Sequence, residues 1–254
     1  MKRSPDEEAL ASGSWDLIDS LACAVRDIGR EAGFPFVAAQ SDLGDPEPMS
    51  DREGQPYAAK LFEWSDEPGP YWEDRRLALK STFLHAARIF AEPIWYADGR
   101  LGSWRPTAVL DQIDCSKVEA QFGFTAAIIA PVHLPAGRVG AVVWVTREAI
   151  DIADVFAREA ERMFTLAIRL LAAHAEAAGK MRKPSIVGQL TSREVQCVRW
   201  AAAGKTNTEI GIILSLSVST VRFHLRNAGA KLGATTRSRT IQLATGHGFL
   251  GART

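Results

Sequence analysis

The sequence predicts two domains of different class: an α/β unit built as an α-β-α sandwich, then an all-α unit of four short helices. Three observations carry this expectation. Two runs rich in Val, Ile and Ala, 126–132 and 140–146, read as buried strands, and long helical stripes lie before and after them. Residues 190–250 hold a succession of helix start and stop signals with no strand pattern between them. Charge divides at the same place. Residues 181–254 carry eleven Lys and Arg against two Asp and Glu, and the rest carries 19 against 28, so a net charge of zero hides a basic unit of +9 and an acidic one of −9.

Each element of the first unit has its own reason. Ser14 is placed to cap a helix from Trp15 to about Ala32, with Trp15, Ile18, Ala22 and Val25 on one stripe; residues 1–13 read as a frayed polar segment. Residues 36–39 read as a buried strand, 41–56 as a loop rich in breakers, and 57–64 as a second strand. After a further breaker at 65–70, residues 71–90 read as a helix whose apolar face holds Trp72, Leu79, Phe83, Ala86 and Ala87. A short strand at 93–96 and a helix at 108–121 lead into the two core strands. The unit closes on a helix over 151–178, where Phe156, Ala160, Met163, Ala167 and Leu170 recur in steps of four and three. That seam suits packing within the domain, against a second copy, or both. Residues 179–189 read as a linker, which sets domain boundaries of 1–178 and 190–254.

In the second unit the start signals are chemical. Thr191 stands three residues before Glu194 and Thr206 three before Glu209, the spacing of a capping box, in which each side chain satisfies a backbone N–H that the helix leaves free. Leu190 and Val195 flank the first cap as a hydrophobic staple. Ser217 caps a third helix, with Leu216 and Val221 as its staple. Gly204 and Gly233 end the first and third helices, and a last helix runs from about Thr236 to Gly246.

The third of these helices presents two different faces. Val221, Leu225, Ala228 and Leu232 recur at helical spacing and form its buried side. Ser219, Arg222, Phe223 and Arg226 fall elsewhere, and the two arginines, four apart, project from one side. Two guanidiniums on one exposed stripe suit guanine edges in the DNA major groove, which admits a helix. The competing reading is a plain solvated arginine face. The short helix–turn–helix over 206–231 supplies the docking geometry that favours double-stranded DNA as partner.

These residues resemble the DNA-binding domain of LuxR-type regulators. The likeness rests on LTSRE at 190–194, GKTNTEI at 204–210, LSVSTV at 216–221, and then His224, Asn227, Lys231 and Leu232. The resemblance implies that Arg222 and Arg226 read bases and that Lys205, Thr220 and Lys231 contact phosphates; Thr206, Ser219 and Phe223 complete the expected DNA-binding set. One departure is Gly211, where the family usually has alanine; it is expected to loosen the second helix slightly. The first unit is similar, more distantly, to the autoinducer-binding domains of the same family, through Trp95 after Pro93, Gly123, and the run His133, Pro135, Gly137 and Gly140. That likeness implies a sensor domain that dimerises, and a small apolar signal molecule held between sheet and helices.

The pocket is where the family pattern breaks. Members place an Asp about fifteen residues before the tryptophan that Trp95 resembles, and it accepts the amide N–H of an acyl-homoserine lactone; Lys80 and Ser81 stand there instead. Four residues after Trp72 comes Arg76 in place of the expected Tyr. A buried amide left unpaired costs about 1–3 kcal/mol, up to two factors of ten in affinity. The expectation is therefore an atypical pocket that takes a non-standard ligand or none. A gapped alignment that rescues an acid such as Asp74 gives the alternative, a divergent lactone-dependent quorum-sensing receptor. Phe62, Trp64, Tyr71, Trp72, Phe83, Trp95, Trp104 and Ile129 are the candidate lining; the same aromatics are equally suited to fill the core themselves.

Other functional classes lack their signatures. There is no nucleophile elbow, phosphate loop, dinucleotide fingerprint or metal-ligand spacing, so neither an enzyme nor a bound cofactor or metal is expected. A phospho-acceptor domain needs clustered acids at strand ends, and the strands carry none. No apolar run approaches the roughly 18 residues of a membrane span. The N-terminus has no apolar signal core, and Cys23, Cys115 and Cys197 are odd in number and far apart, so reduced thiols in a cytoplasm are expected.

Overall fold

A computed structural model describes residues 5–45, 47–63, 81–178 and 189–251. The expected linker lies outside these except for Gln189, as do Trp64, Tyr71, Trp72 and the residues at 71–80 expected to begin a helix. The chain divides into two compact units at Lys180 and Met181.

The N-terminal unit is an α-β-α sandwich around one five-stranded sheet. In chain order it comprises α1 (Pro5–Glu31), β1 (Phe36–Gln40), α2 (Tyr57–Lys60), α3 (Thr82–Ile89), β2 (Ile94–Ala97), β3 (Arg100–Gly102), α4 (Ala108–Asp111), α5 (Val118–Phe122), β4 (Ala126–Leu134), β5 (Arg138–Thr146) and α6 (Ile152–Ala177). The strand order is β1-β5-β4-β2-β3, with every neighbour antiparallel. Register decides which side chains meet. Val37, Trp144, Ile128 and Trp95 are mutual partners across the sheet and share one face; Phe36, Val145, Ala127, Tyr96 and Leu101 share the other. On the first face Trp144 is fully buried and its indole N–H donates to the Val25 carbonyl of α1 at 2.8 Å. On the second, Phe83 and Leu84 of α3, Leu110 of α4 and Val118 of α5 form one core with Tyr96, Ile129 and Val143.

Several elements differ from the sequence expectation for identifiable reasons. α1 starts at Pro5, so Ser14 is an interior residue and 5–13 is helical. Proline at the first helical position, where its missing N–H costs no hydrogen bond, suits the early start. In place of a strand at 57–64 there is the single turn α2, where Lys60 reaches the Asp51 carboxylate at 2.6 Å. That carboxylate also accepts the N–H groups of Glu53 and Gln55, so the loop winds around it. The helix expected at 108–121 is two short ones, because the Asp114 carboxylate accepts both the N–H and the hydroxyl of Ser116 between them. β3 was not foreseen. It pairs with β2 through a two-residue turn in which Asp98 and Gly99 have φ of 50° and 69°, the Asp-Gly hairpin signal.

One buried polar contact was also absent from the sequence reading. His174 of α6, 2% exposed, has Nδ1 3.0 Å from the Ser41 hydroxyl and Nε2 3.0 Å from the Ser50 carbonyl. A carbonyl only accepts, so Nε2 donates, and a neutral ring then accepts from Ser41 at Nδ1. All three cysteines are free, and burial, with Asp114 nearby, pushes the Cys115 thiol up to about 11. Among the described residues no helix is long and apolar enough to cross a membrane.

The C-terminal unit holds α7 (Ser192–Ala202), α8 (Asn207–Leu214), α9 (Val218–Leu232) and α10 (Arg237–Gly246). Both capping boxes form in full, Ser217 caps α9 and Thr236 caps α10. Gly204 and Gly233 take φ of 79° and 67° beyond α7 and at the end of α9, where a side chain would strain the turn. Two apolar clusters fill the unit: Val198, Ala228, Leu232, Ala244 and Leu250 in one, Cys197, Ala201, Ile210 and Val221 in the other. Gly211 does more than loosen α8. It is buried, and a β-carbon there would lie 2.7 Å from the Leu216 carbonyl oxygen, so the turn between α8 and α9 closes directly on it.

Candidate nucleic-acid interface

The start of α9 is built by hydroxyls. The Ser217 Oγ accepts the Thr220 N–H at 3.1 Å and lies 2.7 Å from the Ser219 hydroxyl and 2.8 Å from that of Thr220. The cap fixes where the helix begins, and the helical repeat then fixes its faces. Val221, Ala228 and Leu232 turn inward. Ser219, Arg222, Phe223, Arg226 and Ala230 are all exposed and form a single stripe along the opposite side.

No acid occurs anywhere in α9. Among the described residues neither Arg222 nor Arg226 has a carboxylate within ion-pair distance. Phe223 is 51% exposed, and the guanidinium carbon of Arg226 lies 5.9 Å from its ring centroid. The stripe thus offers two unneutralised cations and one aromatic ring, on a helix wide enough to fill a major groove.

The flanking residues are placed differently from one another. Lys205 forms an exposed ion pair with Glu209 at 3.3 Å, a contact that water screens and a phosphate could replace. The Thr206 hydroxyl accepts the Glu209 N–H at 3.3 Å and donates to its carboxylate at 2.9 Å, as a cap. Hydrogen bonds from the Thr206 N–H and hydroxyl, together with Lys205, hold the Glu209 carboxyl below its usual range. Lys231 has a partner within its own unit: its ammonium lies 2.8 Å from the Glu194 carboxylate, whose side chain is 4% exposed. Burial alone would raise the Glu194 carboxyl, but Lys231 and the Thr191 cap together bring it below its ordinary value. The expected phosphate role of Lys231 therefore competes with an internal one. Arg237 was missed altogether. From the first turn of α10 it donates to the Asn207 side chain at 2.7 Å and to the Lys205 carbonyl, bracing the loop that carries Lys205 and Thr206.

A family profile described as bacterial regulatory proteins, luxR family, matches residues 188–244, a span that holds the four caps and the exposed stripe. The C-terminal unit belongs to the luxR family of bacterial regulatory proteins. Two relatives of this chain are themselves named as transcriptional regulators. The transcriptional activator protein AhyR of Aeromonas hydrophila is 28% identical over 144 residues, 54% of this chain and 53% of AhyR. The quorum sensing-dependent regulator VjbR of Brucella ovis is 36% identical over 117 residues, 46% of this chain and 44% of VjbR. The chain spans about half the length of the curated relatives it matches. Among solved structures, Escherichia coli SdiA is similar at 21% identity and a TM-score of 0.40, over 72% of this chain and 73% of SdiA.

Of the eight residues expected to line a pocket, the five that are described lie in different parts of the N-terminal unit. Phe83 and Ile129 share the core on the Tyr96 face, with the Phe83 and Tyr96 rings 5.2 Å apart. Trp95 faces the other way, because it pairs with Ile128 rather than Ile129 and neighbouring strand residues point to opposite faces. There it lies over Gly102, its partner in the hairpin, where a β-carbon would fall 2.1 Å from the indole. Trp104 is 53% exposed, with its ring 6.3 Å from that of Phe156. Phe62 is fully buried against Tyr57, whose hydroxyl donates to Asp19 of α1. Trp64, Tyr71 and Trp72 lie outside the described residues.

Proposed function

We propose that this chain is a LuxR-type transcriptional regulator that acts in the cytoplasm and binds double-stranded DNA through the exposed stripe of α9. The observation that carries the reading is that stripe: Ser219, Arg222, Phe223 and Arg226 in line, without an acid, on a capped helix that follows a capped partner. Arg222 and Arg226 read base edges, Ser219 and Phe223 sit beside them, and Lys205, Thr206 and Thr220 follow the phosphates at the mouth of the groove. Lys231 joins them only by leaving Glu194.

The chain works as a homodimer. One reading helix per subunit then meets two half-sites of an inverted repeat about one helical turn apart. Residues 1–178 form the sensor and dimerisation domain, with the exposed side of α6, where Ile168 is 41% exposed, as part of the dimer surface. The linker at 179–189 transmits its state. Its pocket is atypical and takes a non-standard ligand or none. The test is selection of duplexes by the full chain from a random library. An enriched inverted repeat bound by two chains supports the proposal; a single half-site bound by one chain refutes the dimer.

The quorum-sensing name of VjbR keeps a second reading in view, a lactone-dependent receptor with a divergent site. A thermal-shift series with acyl-homoserine lactones of many chain lengths separates the two. The first reading expects no shift with any of them. A clear rise with one transfers the case to the second, since a ligand that binds only the folded state stabilises it.

A further inference from the structure

Phe223 is not needed to clamp phosphate. It belongs to neither apolar cluster of its unit, yet it holds a large ring in water, 51% exposed, beside Arg226. The guanidinium carbon of Arg226 lies 5.9 Å from the ring centroid, and the His224 ring lies 5.8 Å from it at an interplanar angle of 67°. The Arg226 guanidinium has no ion pair among the described residues, and its fork of N–H groups fits a pair of acceptors. In the major groove the matching pair is O6 and N7 of guanine. The apolar group on a base edge in that groove is the 5-methyl of thymine. When a pyrimidine precedes a guanine on one strand, its 5-methyl lies beside the guanine acceptors. A ring beside a guanidinium on one exposed stripe presents the complement of this pair.

We propose that Phe223 and Arg226 act together to read a 5-methylpyrimidine–guanine step, the ring covering the methyl and the guanidinium binding the guanine. This rests on the reading of α9 as the DNA-binding helix. Thymine and 5-methylcytosine present the same methyl, so both are substrates for the contact. An arginine alone selects guanine; the ring adds the base before it.

The experiment uses the full chain and the duplexes it enriches from a random library. The enriched half-site is expected to contain a TpG step. Replacing that thymine by uracil removes only the methyl and is expected to weaken binding about three- to five-fold, the size expected for one methyl taken out of water. With cytosine at the position, 5-methylation is expected to recover the same factor. Phe223→Ala is expected to bind thymine and uracil duplexes alike, and Phe223→Leu to keep part of the difference. Equal binding of the two duplexes by the unaltered chain overturns the inference, as does discrimination that survives in Phe223→Ala. Enrichment without any thymine effect defeats this inference alone. Failure to enrich any duplex defeats the DNA-binding reading and this one with it.

Discussion

The two units are held together over different distances along the chain. In the C-terminal unit each helix is started by a hydroxyl within three residues of the N–H it caps: Thr191, Thr206, Ser217 and Thr236. In the N-terminal unit the decisive contacts join distant segments: Trp144 to Val25, His174 to Ser41 and Ser50, and Tyr57 to Asp19. A lost cap costs about 1 kcal/mol and leaves the other helices as they were. A lost partner across the sheet leaves a gap or an orphaned polar group that several elements share. The first unit to suffer from a core substitution is therefore the N-terminal one.

The largest effect expected is at Gly102. A β-carbon there would meet Trp95 at 2.1 Å, and the indole has the sheet beneath it. Gly102→Ala is expected to cost the N-terminal unit about 2–3 kcal/mol. Calorimetry should show its transition moving down while that of the C-terminal unit stays; an unmoved transition would mean that the indole swings away freely.

Next comes Lys231→Ala, which strands the Glu194 carboxylate at 4% exposure. It is expected to cost the C-terminal unit about 1–3 kcal/mol. Glu194→Gln in the same chain should recover part of that loss, and the absence of recovery would exclude a charge effect. The pair also has a pH signature. Glu194 is held below its ordinary 4.5 in the folded state, so its contribution is complete above that pH and is lost as pH falls through the lower folded value. Acid titration of the unaltered chain should show this loss, and Glu194→Gln should flatten it.

These comparisons also say what was legible in the sequence. Thr191, Thr206 and Ser217 were readable because a cap is decided by its own few residues, and so the faces of α9 followed. β1, β2, β4 and β5 were readable as strands, though a further strand was read where the turn α2 stands and β3 was missed; the facing of the strands was not readable. Trp95 and Ile129 were grouped as one lining, and pairing of Trp95 with Ile128 puts them on opposite sides of the sheet. Register depends on partners that the order of residues along one strand does not reveal. The β2–β3 hairpin is the reverse case: Asp98-Gly99 carried its signal in plain view. Arg237 and Lys231 left no local trace, since their partners lie 30 and 37 positions away.

Gly211→Ala tests local rules inside the C-terminal unit itself. Helix preference alone favours alanine by about 1 kcal/mol. The Leu216 carbonyl at 2.7 Å from the new β-carbon opposes it, and a net loss of about 1 kcal/mol is expected in urea melts. A gain would show that the α8–α9 turn yields. The smallest effect is at Ser215, which sits left-handed at φ 54° where α8 ends. Ser215→Gly is expected to add about 0.5–1 kcal/mol by removing that strain; a loss would mean that the serine side chain stabilises the turn.

The central claim is that α9 meets DNA with Arg222 and Arg226. Its most direct test is anisotropy of the full chain on its selected duplex, with Arg222→Ala and Arg226→Ala beside it at several salt concentrations. Each substitution is expected to cost about 1–3 kcal/mol and to relax sequence preference at one position per half-site. Affinity and preference left unchanged by both would contradict the account.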